Sequence, residues 1–324
     1  MKKTLAIVTG GNSSEYIISV KSADTIHENI DTNLYDAYRV EIKGTEWKAA
    51  LPDGNFVSVN KNDFSFLLAD THVKFDAALI MIHGDPGENG KLQGYFDMLN
   101  IPYTASNVLS SSATFSKHFT KQYLKSYGIL SADWILLSSR IGYDLSEVEA
   151  KIGFPCFVKP NNAGSSFGVS KVSNIEQLKD AVKNAMAEDD EVLVEKMIEG
   201  TEITCGVLRT SNSVYTLPVT EIVSKTGFFD YEAKYTEGMA DEIVPARIND
   251  AIAKECQELS LKIYDLFHCH WFARVDYILS NGNLFLLEIN TIPGMSKESI
   301  IPKMLRADNL SLSDMLNQIL DDIV

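Results

Sequence analysis

Phe272-Ala273-Arg274-Val275-Asp276-Tyr277-Ile278-Leu279-Ser280-Asn281-Gly282-Asn283-Leu284-Phe285-Leu286-Leu287-Glu288-Ile289-Asn290 is two strand-like runs hinged on a glycine turn. Side chains alternate faces along a strand, so Arg274 and Asp276 share a face of the first run, and Glu288 and Asn290 a face of the second. Whether these two faces coincide depends on register. A two-residue turn at Asn281-Gly282 sets Asp276 opposite Leu287 and parts the carboxylates. A three-residue loop centred on Gly282 sets Asp276 opposite Glu288 and Arg274 opposite Asn290. The apolar pattern favours the second register, because it pairs Val275 with Ile289, Tyr277 with Leu287 and Leu279 with Phe285 behind a polar face. Asp, Glu and Asn oxygens suit Mg²⁺, which takes few carboxylates and completes its shell with substrate phosphates. A solvent-facing hairpin with a salt bridge is the plainer alternative for this stretch alone.

Upstream, Lys159-Pro160-Asn161-Asn162-Ala163-Gly164-Ser165-Ser166-Phe167-Gly168-Val169 delivers a lysine from a strand into a loop of small residues. Exposed backbone N–H groups in such a loop cradle phosphate. No GK[ST] opens a following helix, so this is not a Walker A loop, and a plain hairpin loop competes with the phosphate reading. In Val192–Glu202, Glu195 and Glu202 are placed to accept hydrogen bonds from an adenine amine and a ribose hydroxyl, although lone acids beside a strand are more often solvated. Gly10-Gly11-Asn12-Ser13-Ser14-Glu15 follows the apolar run Leu5–Val8 and precedes helical periodicity through Ile17, Val20, Ile26 and Ile30. Glycines at a strand-to-helix turn allow close approach of a ligand. Glu15 repels phosphate there, so an ammonium is the better guest; a capped helix start is the alternative.

The rest of the chain sets the frame. The sequence has 324 residues, more than one hydrophobic core usually serves, and divides on its patterns into 1–105, 106–200 and 201–324. The first part opens as a parallel α/β unit, with a second buried strand over 75–82. The second, with a helix over 116–127, strands near 134–137, 154–159, 169–172 and 192–195, and a helix over 175–187, reads as α+β. The third holds the strand 202–208, an irregular stretch from Ser224 to Pro245, a helix over 249–267, the hairpin, and an amphipathic helix over Leu312–Ile323. The formal net charge of −15 argues against nucleic acid or an anionic membrane as partner. Cys156, Cys205, Cys256 and Cys269 have no CxxC spacing, which predicts free thiols in a reducing compartment. The apolar run after Lys2-Lys3 is too short for a signal sequence, and no segment is long enough to span a bilayer, so a cytoplasmic protein is expected. His268 and His270 read as packing residues.

The motifs GG-x-S-x-E (Gly10–Glu15), HG-x4-NG-x-LQG (His83–Gly94), KP-x3-GSS-x-G (Lys159–Gly168), EK-x4-G-x-E, DYEAKY (Asp230–Tyr235), R-x-D and E-x-N-x3-GM-x3-S (Glu288–Ser299) occur in that order. In this the chain resembles the D-alanine–D-alanine ligase family of ATP-grasp enzymes, from Thr9 to about Pro302. The resemblance implies an ATP-grasp fold, α/β and α+β, whose N-terminal parallel α/β domain is followed by two α+β domains clamping ATP. It implies ATP-dependent joining of two D-alanines through a D-alanyl phosphate, for peptidoglycan precursor synthesis, by a homodimer using two Mg²⁺ (or Mn²⁺) ions. Lys117, Lys159 and Lys234 would neutralise the phosphates, with Ser166 in the phosphate loop. Glu195, Lys196, Ile198 and Glu202 would hold adenine and ribose. Asp276, Glu288 and Asn290 would be the metal ligands. Glu15 and His83 would border the first D-alanine, Glu15, Ser165 and Tyr235 would form a closing bridge, and the stretch from Ser224 to Pro245 would act as a lid. Arg274 and the Gly294 N–H would stabilise the oxyanion, and Ser299 would fix the second D-alanine's carboxylate. Tyr235, where a protonatable His would favour a hydroxy acid, implies D-alanine as acceptor. A D-alanine–D-lactate ligase and a catalytically degenerate nucleotide-binding relative are the competing readings. Ala163, Tyr16 and Glu298 depart from the residues common in the family.

Overall fold

The computed structural model describes residues 2–164, 168–224 and 240–324. Three main sheets follow one another along these segments. The first grows from Lys3–Gly10, which pairs parallel to Tyr35–Lys43 on one side and to Ala77–Ile80 on the other. Ala77–Ile80 pairs parallel in turn to Tyr103–Thr104. Leu5–Val8 is an unbroken apolar run because both faces are covered. Leu5 and Ile7 pack toward Ala23 and Ile26 of the helix Tyr16–Asn29, whereas Ala6 and Val8 pack with Leu92 and Phe96 of the helix Lys91–Leu99. Two further strands, Glu46–Ala50 and Phe56–Ser58, extend the sheet antiparallel from Tyr35–Lys43. Sequence pattern did not announce them because they are short, largely exposed edge segments with little apolar alternation.

The second sheet is antiparallel, in the order Ser170–Val172, Cys156–Pro160, Glu191–Lys196, Trp134–Ser138. Helices Leu145–Lys151 and Ile175–Ala185 cover one face through Val148, Leu178, Ala181 and Val182. The third runs Ala240–Ile243, Thr220–Ser224, Thr201–Arg209, Trp271–Ser280, Asn283–Asn290, and is backed by the helix Asp250–Leu266. The terminal helix Leu312–Ile323 bridges this third sheet, through Leu208 and Phe272, and the first. Met315, Leu316, Ile319 and Leu320 join Leu5, Ile7 and Ile26 in one core, and the Ser313 hydroxyl donates to the Asn29 carbonyl at 2.8 Å. Among the described residues no helix is long and apolar enough to cross a membrane.

The hairpin combines both registers considered from the sequence. Arg274 faces Asn290, Val275 faces Ile289 and Asp276 faces Glu288, as the apolar pattern required. The connection, however, is the tight two-residue turn: Ser280 pairs with Asn283, and Asn281 and Gly282 both have positive φ, the geometry an Asn-Gly hairpin turn favours. A bulge reconciles the two. Tyr277 pairs with Leu286 and Leu279 with Leu284, rather than with Leu287 and Phe285, and Leu287 is the extra residue. A bulge lets two successive side chains take the same side of a strand. Leu287 and Glu288 are accordingly both half-buried and both line the central cavity.

Candidate active site

A cavity of about 590 Å³ opens between the second and third sheets. Lys117, Lys159, Glu195, Lys196, Ile198 and Glu202 line it together with Asp276 and Glu288. Phe157, Val169, Ile222, Ile278 and Leu287 supply an apolar lining of the kind a flat heterocycle needs. Strand alternation explains the arrangement: Lys159 and Glu195 reach the cavity from neighbouring antiparallel strands, and Glu202 and Asp276 do so from the facing sheet. Lys159 Nζ is 2.6 Å from Glu195 Oε2, and Lys121, buried on the helix Lys117–Lys125, holds Oε1 at 3.0 Å. Burial works against the Glu195 charge, but Lys121 and Lys159 together outweigh it and keep its pKa below the ordinary value. Lys117 donates to the Ala163 carbonyl and stands 4.0 Å from Glu288.

On the hairpin, Arg274 grips Asp276 with two hydrogen bonds of 2.8 Å. Thr204 donates to the same carboxylate at 2.5 Å and the Asn290 amide at 2.9 Å. Burial opposes the Arg274 charge, yet Asp276 and then Glu288 raise its pKa above the ordinary value, so it is a permanent cation. Among the described residues no three His, Cys, Asp or Glu side chains converge as a metal cage. Asp276, Glu288 and Asn290 are of the oxygen-donor types that a hard cation sharing its shell with phosphate takes.

The opening turn comes close to Gly164, which lines this cavity. Gly10 has φ +100°, and a Cβ there would sit 2.5 Å from the Ile42 carbonyl oxygen, which is why glycine ends the strand. Glu15 occupies the N-cap of its helix but makes no side-chain cap bond. Its carboxylate instead reaches the phosphate-loop side: a Cβ on Gly164 would fall 2.6 Å from Glu15 Oε2. The capped-helix reading of this turn is thus set aside. His83 is buried nearby with no hydrogen-bond partner at Nε2 among the described residues, and burial lowers its pKa despite Glu15. A small cavity bordered by Glu88, Lys117, Gly164, Glu288 and Asn290 adjoins the large one. Farther along, Ser299 caps the helix Ile300–Ala307 by backbone position only, and its hydroxyl is 2.7 Å from that of Ser296. A Cβ on Gly294 would lie 2.8 Å from Ser299 Oγ, so these two sequence candidates adjoin. Ser165, Ser166, Lys234 and Tyr235, and most of the lid stretch, lie outside the described residues.

Pattern reading missed several residues of this site. Glu88 accepts from the Gly84 N–H at 2.8 Å and the Ile292 N–H at 3.3 Å, tying the His83 loop to the end of the hairpin. Its signal was available inside HG-x4-NG, where an acid among turn residues has no helical task. Lys121 could have been found one helical turn beyond Lys117. Thr204 carried no signal, since its role depends on which strand lies beside Asp276. The departures have plain local partners: Tyr16 donates to Glu41 at 2.7 Å, and Glu298 stands 3.7 Å from Lys303.

Known proteins with the same chain organisation can now be set beside this geometry. A model of the D-ala D-ala ligase N-terminus matches residues 4–106, and one of the D-ala D-ala ligase C-terminus matches residues 123–321. The D-alanine–D-alanine ligase of Phocaeicola vulgatus is 46% identical over 99% of both chains. That of Azobacteroides pseudotrichonymphae is 47% identical over 99% of this chain and 100% of its own. Among solved structures, the VanG D-Ala:D-Ser ligase of Enterococcus faecalis superposes with a TM-score of 0.88 at 33% identity, covering 100% of both chains. The D-alanine–D-alanine ligase of Bacillus anthracis complexed with ATP does so with 0.77 at 29% identity, over 99% of this chain and 96% of that one. Family models match both halves of the chain and relatives match it along their whole length, so this chain belongs to the D-alanine–D-alanine ligase family.

Proposed function

We propose that the chain joins two D-alanines to D-alanyl-D-alanine at the expense of ATP, supplying a peptidoglycan precursor. The carrying observation is the convergence of Lys117, Lys159, Asp276 and Glu288 on one cavity, with the Glu15 carboxylate against Gly164 at its edge. In the first step a carboxylate oxygen of one D-alanine attacks the γ-phosphorus, forming D-alanyl phosphate and releasing ADP. Two anions must approach, and Lys117, Lys159 and Lys234 offset that repulsion. Asp276, Glu288 and Asn290 would hold two divalent ions, Mg²⁺ or Mn²⁺, which supply charge neutralisation at the transferred phosphoryl group. Glu15 fits the ammonium of the first D-alanine, and His83, kept neutral by burial, borders it without repelling that ammonium.

In the second step the amine of the other D-alanine attacks the acyl carbon, phosphate leaves, and the amine proton is lost to solvent. The oxyanion formed on the way is stabilised by Arg274, whose charge is permanent, and by the Gly294 N–H. Ser299 anchors the acceptor carboxylate beside them. Ser166 contributes to the phosphate loop, Glu195, Lys196, Ile198 and Glu202 hold the nucleoside, and Ser165 and Tyr235 close over Glu15. In this scheme 1–105 binds the first substrate, 106–200 and 201–324 clamp ATP, and Tyr235 in place of a histidine sets D-alanine over D-lactate. An ATP requirement and four free buried thiols support a cytoplasmic setting, and sedimentation would test the homodimer.

The test is incubation with ATP, Mg²⁺ and D-alanine carrying ¹⁸O in its carboxylate. The dipeptide, ADP and phosphate bearing one ¹⁸O are expected, because the acyl phosphate passes its bridging oxygen to phosphate. Dipeptide with unlabelled phosphate would remove the acyl-phosphate step. ADP without dipeptide would remove the ligase reading.

A further inference from the structure

Lys121 is a buried ammonium that the ligation scheme leaves without a task. Its side chain is 1% exposed, and unlike Lys117 and Lys159 it does not line the nucleotide cavity. Nζ stands 3.0 Å from Glu195 Oε1 and donates to the Leu286 carbonyl at 3.4 Å, beside the bulged Leu287. One side chain on the helix Lys117–Lys125 therefore joins the strand that carries Glu195 to the hairpin that carries Glu288. Glu195 in turn has two cations, one on each oxygen, and only Lys159 among them reaches the cavity.

A buried carboxylate that loses its sole cation is left uncompensated at high cost. If Lys159 alone held Glu195, drawing it toward phosphate would create that state. We propose that Lys121 is a positioning residue for nucleotide binding: it is the standing counter-ion of Glu195, which frees Lys159 to turn from that carboxylate to the ATP phosphates. The direction of the pKa shifts agrees. Burial lowers that of Lys121 and Glu195 pulls it back, while Glu195 itself stays below its ordinary value. This inference rests on the cavity being the ATP site.

The test is calorimetric titration of the full chain with ADP and Mg²⁺, alongside steady-state kinetics. Wild-type protein that binds no ADP would overturn the nucleotide reading itself. With binding established, Lys121→Met weakens ADP about tenfold in the native background, as loss of a charged hydrogen-bonding partner does. In a Glu195→Gln background, where no carboxylate retains Lys159, the same substitution changes affinity by less than about twofold. KM for ATP rises with the first variant and KM for D-alanine does not, whereas a general loosening of the fold would raise both. Equal losses in the two backgrounds, or no loss in the native one, would overturn the proposal. If Lys121→Met alone does not fold, comparing Glu195→Gln with Lys121→Met/Glu195→Gln still decides it, because a loss between those two would show that Lys121 acts through another group.

Discussion

Glu195 and Glu88 are the same residue in opposite surroundings. Glu195, at the nucleotide end, has a lysine on each oxygen and stays ionised although buried. Glu88, near Glu15, accepts from two backbone N–H groups and has no cation among the described residues, and burial followed by the charge of Glu15 pushes its pKa to about 8. The two carboxylates thus differ in charge state: Glu195 is held as an anion by its lysines, whereas Glu88 keeps its proton up to about pH 8. In the proposed scheme Lys117 and Lys159 face the polyphosphate and Glu15 faces the ammonium group. Under that scheme the carboxylate of the first D-alanine would point toward the phosphates while its ammonium is held at Glu15.

The contrast can be broken most severely where the ends meet. Glu288→Gln should lower kcat by ~10³-fold with the fold intact by circular dichroism, because in the proposed scheme a ligand of the ion that neutralises the transferred phosphoryl group is lost. Wild-type turnover with Mg²⁺ in that variant would remove the hairpin from the chemistry. A crossed pair of variants sharpens the comparison. Lys159→Met should raise KM for ATP roughly 10- to 100-fold and leave that for D-alanine unchanged, whereas Glu15→Gln should do the reverse, each losing one charge-assisted contact. If both variants moved both constants alike, the two ends would not be electrostatically distinct.

The smallest effect concerns Glu88 in the ligand-free protein. Its folded pKa lies above the ordinary 4.5, so between about 4.5 and 8 the folded state binds the proton that the unfolded state has lost. The stability it contributes is complete below that window and falls as pH rises through it. Melting temperature against pH should therefore slope downward across the window in the wild type and less so in Glu88→Gln. Equal slopes would mean that Glu88 does not carry the shifted proton.

Much of this was legible in the sequence because it depends on local chemistry. The run Leu5–Val8, the glycine turn after it and the apolar alternation around Val275 and Ile289 each specify what their neighbours must do. The carboxylates of the hairpin were paired correctly although the turn was not, since burial of Val275 against Ile289 constrains register more tightly near the core than at the exposed Asn281-Gly282 tip. What escaped was relational. Thr204 matters because it lies beside Asp276 in another strand, and Glu88 because the Ile292 N–H arrives from about two hundred residues away. The edge strands Glu46–Ala50 and Phe56–Ser58 escaped for the opposite reason, having too little burial to leave a pattern.

The terminal helix Leu312–Ile323 has a consequence for how the protein is made. Its apolar face completes the core around Leu5, Ile7 and Ile26, and Ser313 bonds Asn29 across 284 positions of chain. A ribosome adding ~5–20 residues per second needs roughly 15–60 s to cover that interval. Throughout that time the first sheet and its helix present an uncovered apolar face to the cell. The core of the opening third is therefore completed only once the helix Leu312–Ile323 is made.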